Sequence, residues 1–104
     1  MVSSMNEKLQ DENMDSLFRA ILSLESVEEC YQFFEDLCTV PELKAMSQRL
    51  AVAQMLTERH VYMDIVGKTG ASTATISRVA RALNYGSDGY SMVFERLGKQ
   101  KEKD

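Results

Sequence analysis

Six side chains with hydrogen-bonding or cationic ends, Ser72, Thr73, Thr75, Ser77, Arg78 and Arg81, fall between positions 72 and 81, and Lys68 lies one turn upstream. No acid–base pair, metal-ligand cluster or nucleophile beside a base stands out anywhere in the chain, so catalysis is the weakest reading and recognition the strongest. Hydroxyls and arginines at these spacings can meet phosphate oxygens and base edges. Ala74 among them keeps the leading surface small enough to enter a major groove.

Such a surface needs a helix to carry it and a second helix to hold that helix in place. The segment YMDIVGKTGASTATISRVARAL, residues 62–83, has the apolar and small residues that two helices crossing at a tight turn require. Ile65 and Val66 give the first helix a buried face. Gly70 sits where that helix must stop in a left-handed conformation, Ala71 tucks under the turn, and Ser72 caps the second helix. Ile76 and Val79 lie three apart on one face of that second helix and point back at Ile65. A helix-turn-helix follows, with an ordinary helical hairpin as the plain alternative. A strand at 61–66, where branched and aromatic residues cluster, finds no partner strand elsewhere.

The rest of the chain reads as helix. Met14, Leu17, Phe18, Ile21 and Leu22 form one apolar face, and Val27, Cys30, Tyr31, Phe34, Leu37 and Cys38 a second. Capping boxes at Ser26–Glu29 and Thr39–Glu42 mark the starts of the second and third helices, Pro41 falling harmlessly in a first turn. The third helix, about 40–58, is apolar on nearly all sides from Leu50 to Leu56, and Leu50, Val52 and Met55 point in different directions. A second subunit is the simplest cover. Asn84 to Gly89 reads as a turn-rich break, Asp88 as the cap of a last helix with Tyr90, Val93, Phe94 and Leu97, and KQKEKD as a fraying end. The expected organisation is a single all-α domain over 1–104: flexible ends at 1–10 and 99–104, dimerisation helices at 11–58, the helix-turn-helix at 62–83 and a C-terminal helix at 87–98.

The 104 residues carry a formal charge of −4, unevenly placed. Residues 1–43 hold two basic and ten acidic side chains, residues 44–83 six basic and two acidic. The local field, not the total, governs phosphate contact. No run is long enough to span a membrane, and the polar, acidic start is unlike a leader, so a cytoplasmic protein without membrane association is expected. Cys30 and Cys38, eight apart in what reads as one helix, are about 12 Å apart along its axis, too far to bridge, and are expected as reduced core residues. His60 has no ligand partner nearby and is expected to cap or end a helix. Neither metal nor cofactor is implied.

From Thr39 to Leu97 the pattern resembles the Trp repressor superfamily, with Gly70-Ala71 followed by Ala74-Thr75-Ile76-Ser77-Arg78 similar to its helix-turn-helix signature. LNYGSDGY, residues 83–90, with the helix after it, resembles the YerC/YecD-type branch. The resemblance covers roughly residues 10–98 and implies a six-helix, intertwined homodimer that binds double-stranded DNA. In tryptophan-responsive members two arginines hold the corepressor, and they match Arg49 and Arg78. A glycine that makes room for the indole matches Val79, however, and a serine that holds the ligand's amino group matches Ala82. The expectation is therefore a regulator, most simply a repressor, modulated if at all by a small anionic or amino-acid-like effector other than tryptophan. Basic residues of the family's first motif helix match Met63 and Val66, so the operator sequence does not transfer. A helical dimerisation or adaptor module that has lost DNA binding is the alternative.

Overall fold

Capping chemistry sets most of the helix starts in the computed structural model, which describes residues 7–103. Six helices follow a short 3-10 turn at Glu7–Leu9, namely α1 (Glu12–Leu22), α2 (Val27–Leu37), α3 (Val40–Thr57), α4 (Tyr62–Thr69), α5 (Thr73–Tyr85) and α6 (Gly89–Lys103). No strand occurs among the described residues, and 62–69 is helix. Residues 1–6 of the expected flexible N-terminus lie outside the described residues, while 7–9 are helical.

Asp11 caps α1, its carboxylate accepting from the Met14 amide at 2.6 Å. At α2 the expected box forms by halves. Ser26 Oγ accepts from the Glu29 amide at 3.1 Å, but the Glu29 carboxylate reaches back to the Glu25 amide rather than to that of Ser26. At α3 the box is complete: Glu42 Oε1 accepts from the Thr39 amide and hydroxyl, each at 2.8 Å, and Thr39 Oγ1 accepts from the Glu42 amide. These bonds to the charged form hold the Glu42 carboxyl below its ordinary value, the backbone bond contributing most.

The far end of α3 closes without glycine. Arg59 takes φ 68°, its amide donating to Leu56 O and that of His60 to Met55 O, both at 3.0 Å. This is the paired bonding of a Schellman motif, and the left-handed residue costs about 1 kcal/mol for a side chain with a Cβ. His60 thus lies just past the helix, which ends at Thr57, and helps to cap it through its amide.

Contacts divide the chain into two compact units at Leu43/Lys44. In the first, neither α1 nor α2 buries a residue fully. Phe33 and Phe34 meet edge to face at 5.5 Å, but Leu22 is 83% exposed and Tyr31 76%. The apolar face expected of α2 exists without a cover in its own unit. Cys38 lies just beyond α2 with extended backbone, so the two cysteines do not share a helix, and both are half-buried rather than core.

The second unit has a closed core of Val52 and Ala53 from α3, Ile65 from α4, Ala71 from the turn, and Ile76 and Val79 from α5. Met55, Leu56, Leu83, Tyr90 and Phe94 pack around it, the last two rings stacked at 6.1 Å. This packing does not cover all of α3, since Met46 and Leu50 remain open.

Two boundaries differ from expectation. Helix α5 continues through Asn84 and Tyr85, so the break narrows to 86–88. It ends at Gly86, whose amide donates to Ala82 O at 2.9 Å and where a Cβ would collide with that same carbonyl. Helix α6 runs to Lys103 instead of stopping near 98. Lys and Glu are strong helix formers, and Lys99 pairs with Glu95 at 3.2 Å one turn back. Asp88 does precede α6, with left-handed backbone (φ 63°), and its carbonyl accepts from the Met92 amide.

Candidate nucleic-acid interface

The turn between α4 and α5 is fixed by its own residues. Gly70 adopts φ 72° and its amide donates to Val66 O at 2.9 Å. A Cβ there would meet no atom, so the left-handed backbone alone selects glycine. Thr69 ties the parts together: its hydroxyl donates to Ile65 O at 2.7 Å and accepts from the Ala71 amide at 3.1 Å. Gln48 on α3 donates to the Thr69 carbonyl at 3.1 Å. Ala71 is buried beneath the turn, and Ser72 caps α5 by accepting from the Thr75 amide.

Burial then decides which way α5 faces. Ile76 is fully buried and Val79 2% exposed, so the stripe at i, i+3, i+4 and i+7 on the other side, Ala74, Ser77, Arg78 and Arg81, is turned outward. All four are exposed and line one shallow groove. Ser72, Thr73 and Lys68 are exposed as well. Thr75 is half-buried and its hydroxyl accepts from that of Ser72 at 3.1 Å, which leaves its own proton for another acceptor. Val66, expected in the core with Ile65, is 37% exposed, and Met63 beside it is 85% exposed. On an eight-residue helix only the Ile65 position turns fully inward.

Electrostatically the outward stripe is unopposed. Neither Arg78 nor Arg81 makes an ion pair among the described residues, and the two ion pairs found there, His60–Glu58 and Lys99–Glu95, lie on other elements. The guanidinium groups are therefore free to meet anions.

The residues expected to hold a small molecule are placed differently from one another. Arg78 and Ala82 share a groove of about 490 Å³ with Arg81, Tyr85 and Gly86. Arg49 is half-buried on α3, without an ion pair among the described residues, and lines neither this groove nor that of the outward stripe. Val79 belongs to the core. Tyr85, 85% exposed beside the arginines, is missed when 84–89 is read as a turn. Its signal was the spacing from Arg78 and Arg81, seven and four residues. Gln48 is also missed, and nothing local marks it, because its partner is 21 residues away. Among the described residues no group of three or more His, Cys, Asp or Glu could hold a metal ion.

Comparison with known proteins agrees with this geometry. The family model for the Trp repressor protein matches residues 12–98. YerC of Bacillus subtilis, itself uncharacterized, is 55% identical over 91 residues, 88% of each chain. The crystal structure of a TrpR-like protein from Eubacterium eligens superposes with a TM-score of 0.87 at 60% identity, over 89% of this chain and 96% of that one. A Staphylococcus aureus structure, provisionally assigned as a Trp repressor, gives 0.88 at 54% identity, over 91% and 96%.

Proposed function

The chain belongs to the Trp repressor family, and from that membership we propose that it is a homodimeric, sequence-specific DNA-binding regulator, most simply a repressor. Helix α5 is its recognition helix. The observation that carries the reading is the outward stripe of Ala74, Ser77, Arg78 and Arg81, exposed and unpaired on a helix whose opposite side is locked in the core. Small residues lead, hydroxyls follow, and cations flank. That order suits a helix whose N-terminal end enters a major groove.

In this reading Ser72, Thr73, Ala74, Thr75 and Ser77 meet the groove, while Lys68, Arg78 and Arg81 meet phosphates or guanine edges. Two such helices in a dimer address half-sites about 34 Å apart. The open apolar residues of α1, α2 and α3, among them Leu22, Tyr31 and Leu50, are the surface a second copy covers. No helix among the described residues is long and apolar enough to cross a membrane, which fits a cytoplasmic regulator.

Tryptophan is not the effector in this reading. Val79 fills core space, and Ala82 has no hydroxyl for an amino group. An effector, if one acts, is smaller or differently shaped, with an anionic group toward Arg78, which shares a groove with Ala82 that Arg49 does not line. The apolar exposure of Met63 and Val66 on α4, where the family places basic residues, favours a second reading in which the fold serves as an adaptor without DNA. Selection of duplexes from a random pool, followed by titration of the winners against salt, separates the two. A recovered palindromic site with steep salt dependence supports the regulator. Failure to enrich any sequence supports the adaptor.

A further inference from the structure

The side-chain bonds that cap the helices close within four residues. That of Gln48 spans 21, from the middle of α3 to the last residue of α4. The carbonyl it meets is one of the four at a helix C-terminus that have no partner within the helix. Gly70 turns the chain away immediately afterwards, so a protein donor for this carbonyl comes from another element. Gln48 supplies it.

This contact differs in kind from the rest of the packing beneath the motif. Val52 and Ala53 press on Ile65, Ile76 and Val79 through apolar contact, which resists separation but is non-directional. A hydrogen bond has a preferred length and angle. Thr69 passes that constraint on, because its hydroxyl already joins Ile65 O to the Ala71 amide, and Ser72, one residue further, caps α5. A rotation of α4–α5 on α3 would change the length and angle of the Gln48 bond.

We propose that Gln48 is a positioning residue for operator recognition, fixing the α4–α5 turn on α3 so that α5 holds one orientation. The inference rests on the DNA-binding reading above. In a dimer it predicts that Gln48 governs tolerance to half-site spacing, because two loosened heads adapt to separations that two fixed heads reject.

The test is Gln48→Met, which keeps length and packing and removes the donor. Two measurements are made on the full chain: amide hydrogen exchange in the free protein, and binding to the selected operator and to versions lengthened or shortened by one base pair between half-sites. The expected result is faster exchange at Gly70 and Ala71 with Ile76 still protected, and operator affinity reduced about tenfold, the loss that follows when each of two loosened heads spends roughly a third of its time in the competent orientation. Wild type should discriminate sharply among spacings and the variant weakly, at the same salt slope because no phosphate contact is lost. Unchanged turn exchange, or unchanged spacing discrimination in a variant with wild-type circular dichroism, overturns the proposal. If wild type itself enriches no sequence, the DNA-binding reading fails, and the exchange measurement alone decides whether Gln48 fixes the turn.

Discussion

Replacing Arg81 with alanine gives a quantitative test of the reading head. Arg81 is exposed, makes no ion pair among the described residues and shares the outward groove of α5 with Arg78. Its removal leaves the core untouched, so circular dichroism and melting should match wild type. If each Arg81 neutralises one phosphate, a dimer loses two contacts, and the slope of log affinity against log salt should flatten by about 1.8 units at about 0.9 per contact. Between about 50 and 200 mM salt, roughly 0.6 log units, wild type should then lose about tenfold more affinity than the variant. The two curves converge as salt rises. Fluorescence anisotropy with a labelled operator and a shuffled duplex of equal length reads both quantities, and a phosphate contact predicts equal weakening on the two. Parallel salt curves would refute the phosphate assignment. Loss confined to the operator would move Arg81 to a base edge instead.

Four further outcomes follow from the same structure. Leu50, 43% exposed on α3, should lie in the dimer interface, so Leu50→Glu should yield unfolded or monomeric protein by light scattering, and wild-type melting should depend on concentration; a stable wild-type monomer at micromolar concentration would contradict this. L-Tryptophan should give no saturable heat in calorimetry, and Val79→Gly should not restore binding while costing about 2–4 kcal/mol in lost burial and helix propensity; tryptophan heat abolished by Arg49→Ala would show that the pocket exists. Glu42 has a folded pKa lowered from 4.5, so the stability it contributes is present above that value and lost as pH falls through the lowered folded value; Glu42→Gln should flatten that part of the stability–pH curve, and an unaltered curve would refute the linkage. Gly86→Ala should destabilise by about 1–3 kcal/mol in urea, because its Cβ meets the Ala82 carbonyl.

What the sequence revealed most clearly was chemistry that closes within a few residues. Gly70, Ala71, Ser72 and Ile76 take the places their types demand, since a left-handed stop, a small buried residue, a cap and an inward apolar side chain need only their neighbours. The Thr39–Glu42 box is legible for the same reason. The Asp11 cap of α1 is as local, its carboxylate meeting the amide three residues on. Arg59 could not be read, because its left-handed backbone is imposed on an ordinary side chain by the bonds that close α3. Periodicity found the faces of α1 and α2 but could not say what covers them, so Val27 and Tyr31 read as members of an apolar face and stand open. Gln48 lies at the other limit, its role arising only when residue 69 comes to meet it.

A formal charge of −4 looks unfavourable for a partner as anionic as DNA, and its distribution resolves the difficulty. At physiological salt a charge is screened over about 8 Å, so a phosphate responds to the side chains beside it and hardly to the chain total. The side chains beside it, on the proposed reading, are those of α4 and α5, where Lys68, Arg78 and Arg81 outnumber Asp64. The ten acidic residues before position 44 fall in the unit whose helices bury nothing fully and carry open apolar faces. Burial separates the two parts as charge does, since the core beneath α4 and α5 is closed within the second unit. On that reading, substitutions on the open faces of α1 and α2 should act on assembly and those on the outward stripe of α5 on recognition, each with little cost to the other.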